Sequence, residues 1–342
     1  MTIYYRTPWG KGFTYRHTNG KCLQDREVKR FINDLAIPPA WTAVQINTDV
    51  NAKIHVTGRD DANRKQYIYN PSFRAANNEE KFARILRFAK QLTPMRRTTG
   101  QHLAQPELSK EKVLACLVRL IDCAYFRPGN PHYTKENQTY GLLTLRSKHL
   151  TIDGDQLIFE YTGKSSKPQK RLVKNSKLKQ VVKELNEVPG YEIFQYFEEG
   201  KKHCVRSEDL NGYIRETMGE EFSAKDFRTW AGTVVTAVAL NNLGPTTEAE
   251  LAKKNVLKAV RATAQKLGNS PTVARAHYID PRVILHYASG KTLDFVSSQL
   301  AIGPPKGEFS GLHNRDEAAV IRLLELDVDK RTDKKTPPKH ET

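Results

Sequence analysis

"AVQINTDVNAKIHVTGRDDANRKQYIYNPSFRAANNEEKFARILRFAKQL" (residues 43–92) changes its hydrophobic period part-way, and that change decides the fold class. In its first half, residues 53–57 and 65–69 alternate apolar and polar side chains, as half-buried strands do, and the polar "GRDDAN" between them supplies a turn. In its second half, Phe82, Ile85, Leu86, Phe88 and Ala89 recur at helical spacing, so residues 77–92 are expected as an amphipathic helix. The chain is therefore read as α+β. A small β-rich domain covers residues 1–78 and a larger, mainly helical domain covers 79–326.

Further along, "SKEKVLACLVRLIDCAYF" (109–126) repeats the helical pattern with Val113, Leu117, Leu120 and Ile121, and Ser109 is placed to cap it. A second β excursion lies inside the helical part. Residues 141–174, "GLLTLRSKHLTIDGDQLIFEYTGKSSKPQKRLVK", are read as three short strands turning at "DGD" and "TGKSSKPQ". Helices are expected from there to about 326. The tail 327–342, "DVDKRTDKKTPPKHET", is charged and poor in apolar residues, so disorder is expected there.

The 342 residues carry 55 Lys plus Arg against 38 Asp plus Glu, a net charge of +17. A surplus of that size points to a polyanionic partner, nucleic acid being the commonest. The charge is spread along the chain rather than gathered in one helix, which argues against a basic membrane-surface protein. No apolar run approaches the ~20 residues that span a bilayer, and "MTIYYRTPWGKGF" lacks the apolar core of a signal peptide. The four cysteines (Cys22, Cys116, Cys123, Cys204) form no C-x-x-C pair. A reducing cytoplasm and no structural zinc fit them best.

Four polar landmarks stand out of this background. Arg127, in "YFRPGNPHYTKENQTY", follows an apolar helix at the point where Pro128 and Gly129 turn the chain; it suits either a phosphate fork or a helix C-cap. Lys164 sits at an expected hairpin tip, either merely solvated or able to reach a leaving group. Arg228, in "KDFRTWAGT", lies at the buried margin of an apolar helix and wants an anion, which an internal carboxylate could also supply. The fourth, "LGNSPTVARAHYIDP" (267–281), holds Asn269 and Tyr278. Alone, Tyr278 is an ordinary packing tyrosine.

On a phosphodiester the four become complementary. A phenol with a pKa near 10 is a weak nucleophile unless guanidiniums neutralise the non-bridging oxygens. Arg127 and Arg228 could do that, Asn269 could add a neutral hydrogen bond, and Lys164 could protonate the leaving oxygen. The scheme needs no metal or other cofactor, and no metal-ligand motif is present.

At these residues the chain resembles the type IB DNA topoisomerases of the bacterial and poxvirus kind, from about residue 10 to 325. "LAIPPAWTAV", "TGRDDANRKQYIYNP", "FRPGNPHYTKENQTYGLLTLRSKH", "YTGKSSK", "KDFRTWAGT" and "LGNSPTVARAHYIDP" follow the family's order and spacing. The resemblance implies a monomeric enzyme on double-stranded DNA that forms a 3′-phosphotyrosyl bond, lets the duplex rotate and reseals it without ATP or metal. It implies Tyr278 as nucleophile, Arg127 and Arg228 as catalytic arginines and Lys164 as general acid. Asn269 stands where many members carry histidine, and "GKSS" replaces the more usual "GKSG". An N-terminal domain that closes over DNA is also implied, with Gln66, Tyr67 and Tyr69 on base-contact positions and Tyr133 on a phosphate contact. In a regular strand, however, Gln66 faces away from the two tyrosines. A cytoplasmic, nucleoid-associated bacterial protein is the expected setting.

Two other readings share part of this pattern. A tyrosine recombinase shares the chemistry but generally has histidine where "KDFR" has Lys225, and lacks this β-rich N-terminal pattern. A basic DNA-binding protein without an active site accounts for the charge but not for the four landmarks.

Overall fold

The computed structural model describes residues 3–297 and 314–327, apart from the side chains of residues 75, 132, 133 and 314. The tail expected to be disordered lies, from residue 328 onward, outside the described residues. The chain divides into two compact units, residues 1–83 and 84–342.

The first unit is a five-stranded antiparallel sheet in the order β2-β1-β3-β4-β5. Its strands are β1 (Ile3–Trp9), β2 (Gly12–His17), β3 (Thr42–Asn47), β4 (Ile54–Arg59) and β5 (Lys65–Tyr69). The pairing of β4 with β5 is the hairpin read from the alternation. A helix, α1 (Arg26–Asp34), was not anticipated, although Asp25 caps it by accepting from the Glu27 and Val28 N–H groups. Leu23, Ile32, Val44, Ile46 and Val56 form this unit's core.

The helix expected over 77–92 is longer at both ends. α2 runs from Pro71 to Leu103 and continues through Pro94. A proline inside a helix removes one hydrogen bond and costs about 3 kcal/mol. The apolar stripe explains why the helix persists. Ile85, Phe88, Leu92, Met95 and Leu103 are all buried, and each apolar side chain withdrawn from water contributes roughly 1.5–3 kcal/mol.

In the second unit, α3 (Lys110–Ala124) is nearly all buried and is capped by Ser109, which accepts from the Lys112 N–H. Next come α4 (Pro131–Asn137) and two 3₁₀ turns over 142–149, where strand had been expected. An antiparallel sheet follows, β6 (Leu150–Asp153), β7 (Gln156–Gly163) and β8 (Lys167–Lys174), in that order. After α5 (Ser176–Glu187), a short hairpin of β9 (Gln195–Glu198) and β10 (Lys201–Cys204) interrupts what was expected to be helical throughout. The remaining elements are α6 (Ser207–Met218), α7 (Ala224–Asn242), α8 (Ala249–Leu267), α9 (Pro271–Tyr278), α10 (Pro281–Ala288), α11 (Leu293–Ser297) and α12 (Asn314–Glu325). Among the described residues no helix is long and apolar enough to cross a membrane. All four cysteines are free thiols.

A buried ionic junction ties four of these helices together. Arg96 of α2 forks onto Asp122 of α3 at 2.9 Å and onto Glu317 of α12 at 2.6 Å, and the Trp230 indole of α7 donates to Glu317 at 3.0 Å. Burial pushes the Asp122 pKa up, but the Arg96 guanidinium more than offsets this and holds it below the usual carboxylate range. Arg96→Ala would leave two buried carboxylates without that partner. It is expected to cost about 3–5 kcal/mol, read as a lower urea midpoint. A midpoint within error of the parent chain would show that solvent already screens the junction.

Candidate active site

α3 ends at Tyr125, which adopts the left-handed conformation (φ 59°) while its N–H still reaches Ile121 O. That turn points the Tyr125 carbonyl at α7, where Arg228 Nη1 donates to it. It also releases the chain so that Arg127, two residues on, leaves the helix altogether. Arg127 is therefore no C-cap: its Nη2 donates to the Asn269 side-chain oxygen and, at 3.2 Å, to the Gly268 carbonyl. Arg228 Nη2 donates to the Leu267 carbonyl at 2.9 Å and to the same Asn269 oxygen at 3.2 Å. Two guanidiniums from distant segments thus meet at the turn between α8 and α9. Gly268 makes that turn possible by taking the left-handed C-cap position (φ 65°, ψ 43°).

Tyr278 closes α9, and the Arg228 guanidinium carbon lies 5.1 Å from the centre of its ring. The tyrosine is held there by backbone contact. A Cβ added to Gly232 of α7 would strike the Tyr278 carbonyl oxygen and come within 3.0 Å of its Cβ. Only a residue without a side chain allows α9 this close.

The site is rich in donors and poor in negative charge. Arg228 is 2% exposed, and no carboxylate among the described residues is paired with it. Asp226, its motif neighbour, caps α7 at Ser223 and pairs with Arg84 at 3.0 Å. Asp280, two residues past the tyrosine, is bound by Arg282 at 2.7 Å. Burial lowers the Arg228 pKa and the charge of Arg127 adds to this, while Tyr278 works the other way. For Tyr278, burial pushes the pKa up. The charge and donors of Arg228, with help from Arg127 and Lys225, outweigh that and hold it below the ordinary tyrosine value. Arg228 Nε and Asn269 Nδ2 are buried donors without a partner among the described residues. A phenol with depressed pKa beside converging unpaired donors is suited to attack on a bound oxyanion.

The remaining predicted residues fall elsewhere. Lys164 is exposed at the tip between β7 and β8 and makes no hydrogen bond or ion pair among the described residues. Ser165 and Ser166 beside it both take left-handed φ values, 62° and 54°. In the N-terminal unit, Tyr67 and Tyr69 share an exposed face with rings 6.0 Å apart. Gln66 faces the other way and donates at 2.8 Å to Asp60 in the hairpin turn, which settles the alternation conflict in favour of a regular strand. Tyr133 lies in α4, but its side chain is outside the described residues. Sequence reasoning passed over Arg171 and Gln169 of β8. Their signal was the alternation of "KPQKRLVK", which puts both on one face.

The chain is similar to known proteins over most of its length. The family model described as "Eukaryotic DNA topoisomerase I, catalytic core" matches residues 70–286. "Bacterial DNA topoisomerase IB, N-terminal domain" matches residues 12–60. The "DNA topoisomerase 1B" of Acanthamoeba polyphaga mimivirus is 29% identical over 313 residues, spanning 85% of this chain and 92% of its own. That of vaccinia virus (strain Copenhagen) is 22% identical over 299 residues, spanning 84% and 91%. A solved complex of the XerH site-specific recombinase with a palindromic difH substrate aligns at 17% identity over 68% of this chain and 58% of its own. Its TM-score is 0.33, too low to argue from.

Proposed function

Given that the chain belongs to the eukaryotic-type topoisomerase I family and is a type IB DNA topoisomerase, we propose that Tyr278 is its nucleophile and that the arginine cluster is its phosphate site. Tyr278 gives up its proton to water and attacks the scissile phosphorus as the phenolate, the bond from phosphorus to the 5′-oxygen breaks, and the phosphate is left joined to the DNA 3′ end through tyrosine. Lys164 gives its proton to the departing 5′-oxygen. Rotation of the freed strand relaxes supercoils of either sign. The 5′-hydroxyl then attacks the phosphotyrosine, returning a proton to Lys164 and releasing the Tyr278 phenolate, which takes its proton back from water. The covalent bond conserves the energy of the broken one, so neither ATP nor a metal enters this scheme.

The observation that carries the proposal is the fully buried Arg228, set against Tyr278 and without a carboxylate partner among the described residues. A desolvated guanidinium that lacks an internal anion is costly for the fold alone. It is explained by a bound phosphate oxygen, which Arg127 and the Asn269 amide share. We assign Tyr67, Tyr69 and Tyr133 to contacts with the duplex. Gln66, on the opposite face of its strand, is assigned to a contact with the duplex as well and must leave Asp60 to make it. The net charge of +17 favours a polyanion throughout.

The deciding experiment traps the cleaved complex with SDS on supercoiled DNA without ATP and in excess EDTA, digests it and maps the modified peptide. The adduct is expected on Tyr278; an adduct on any other tyrosine overturns the assignment. The depressed pKa of Tyr278 makes a second prediction. The phenolate fraction grows with pH, so single-turnover cleavage should rise with pH and level off below the ordinary tyrosine range near 10. A rate still climbing past that value would mean that the arginines do not activate the phenol.

A further inference from the structure

Lys164 must deliver a proton at the place where Asn269 and the arginines hold the phosphate, yet among the described residues its side chain makes no hydrogen bond to any of them. Something has to keep the hairpin in register with that turn. Two ties hold the hairpin among the described residues. On the β7 side, the Tyr140 N–H donates to Thr162 O at 2.8 Å, joining the hairpin to the segment that follows Arg127. On the β8 side the tie is made by a side chain. Arg171 Nη1 donates to the Lys266 carbonyl in the last turn of α8 at 2.5 Å, and Nη2 donates to Gln169 Oε1 at 2.9 Å. Gln169 in turn lies against the glycine that precedes Asn269. A Cβ on Gly268 would land on Gln169 Oε1 and 2.9 Å from Arg171 Nη2.

Arg171 is a third guanidinium beside the site, with Tyr161, Arg127 and Tyr125 as electrostatic neighbours. Its Nε is buried without a partner among the described residues. On strand β8 it faces Phe159, while Gln169 faces Tyr161, so both side chains leave the sheet on the side of α8. Arg171 is placed to span the two elements because its planar fork directs two N–H groups in fixed directions at once; a lysine offers one point charge. Nothing in the scheme above requires an arginine here.

We propose that Arg171 is a positioning residue for Lys164: with Gln169 it clamps strand β8 of the lysine hairpin to the turn that carries Asn269. Proton delivery and phosphate binding then keep one register. This rests on Lys164 being the general acid, and the test separates the two claims.

Single-turnover cleavage is measured for Arg171→Ala, Arg171→Lys and Lys164→Ala on a normal duplex and on one whose scissile 5′-oxygen is replaced by sulfur. The thiolate leaves without needing a proton. Both Arg171 variants are expected to slow roughly 10- to 100-fold on normal DNA, the cost of misplacing a catalytic group by about 1 Å. On the sulfur substrate they should stay within about 3-fold of the parent, a selective rescue that general structural damage does not give. If Lys164→Ala is rescued by sulfur but the Arg171 variants lose equally on both substrates, or lose nothing, the clamp is wrong. If Lys164→Ala is not rescued, the general-acid assignment itself fails. Should Arg171→Ala not fold by circular dichroism, Arg171→Lys and Gln169→Ala carry the same comparison.

Discussion

Tyr278→Phe should relax supercoiled plasmid at least about 10⁴-fold more slowly than the parent chain, the scale seen when a covalent nucleophile is removed and the charge-stabilising groups stay. The change deletes one oxygen and keeps the ring that Arg228 faces and the backbone that packs against Gly232. DNA affinity should therefore change by no more than a few fold, and no SDS-stable adduct should form. Filter binding and gel relaxation on the same preparation check both halves. A Phe variant that still relaxes plasmid places the nucleophile elsewhere, whatever the arginines do.

Arg228→Met is expected to separate activity from stability in an unusual direction. Loss of one preorganised donor set at the transition state typically costs ~3–4 kcal/mol, or about 10²–10³ in the rate of cleavage. Most buried substitutions also destabilise, but here the fold gives up a desolvated charge that no carboxylate among the described residues compensates. Against this, the carbonyls of Tyr125 and Leu267 each lose a donor, and each orphaned acceptor costs about 1–3 kcal/mol. The two effects oppose one another. The urea midpoint of Arg228→Met should therefore fall much less than that of Arg96→Ala, whose arginine is fully matched by Asp122 and Glu317. Stopped-flow cleavage and equilibrium unfolding give the two numbers. A variant that cleaves normally, or that unfolds as easily as Arg96→Ala, would make Arg228 a structural arginine.

Much of the fold follows from local pattern, and its misreadings have local causes. The β4–β5 hairpin and α3 with its Ser109 cap were legible because alternation, helical spacing and capping act within a few residues. α2 runs past the end expected at residue 92, and past Pro94, because the burial that offsets a proline in a helix comes from other helices. α1 and the β9–β10 hairpin were passed over, the one a short capped helix and the other a pair of short strands. The site divides in the same way. Its residue types could be picked out because an arginine set in an apolar helix is conspicuous in any sequence. Whether Arg228 had an internal carboxylate could not be read, since Asp226, two residues away, is bound by Arg84 of another helix.

What the sequence determined unaided is the switch from strand to helical period, the excess of positive charge and the family motifs in their order. Each of these is a property of neighbours along the chain or of a simple sum. Only the tertiary structure decided that Arg127, Arg228 and Asn269 share one oxygen, that Gly232 lets Tyr278 approach, and that Arg171 reaches the end of α8. Those contacts join residues up to 142 positions apart. Their geometry depends on how whole elements pack, and no local preference encodes it.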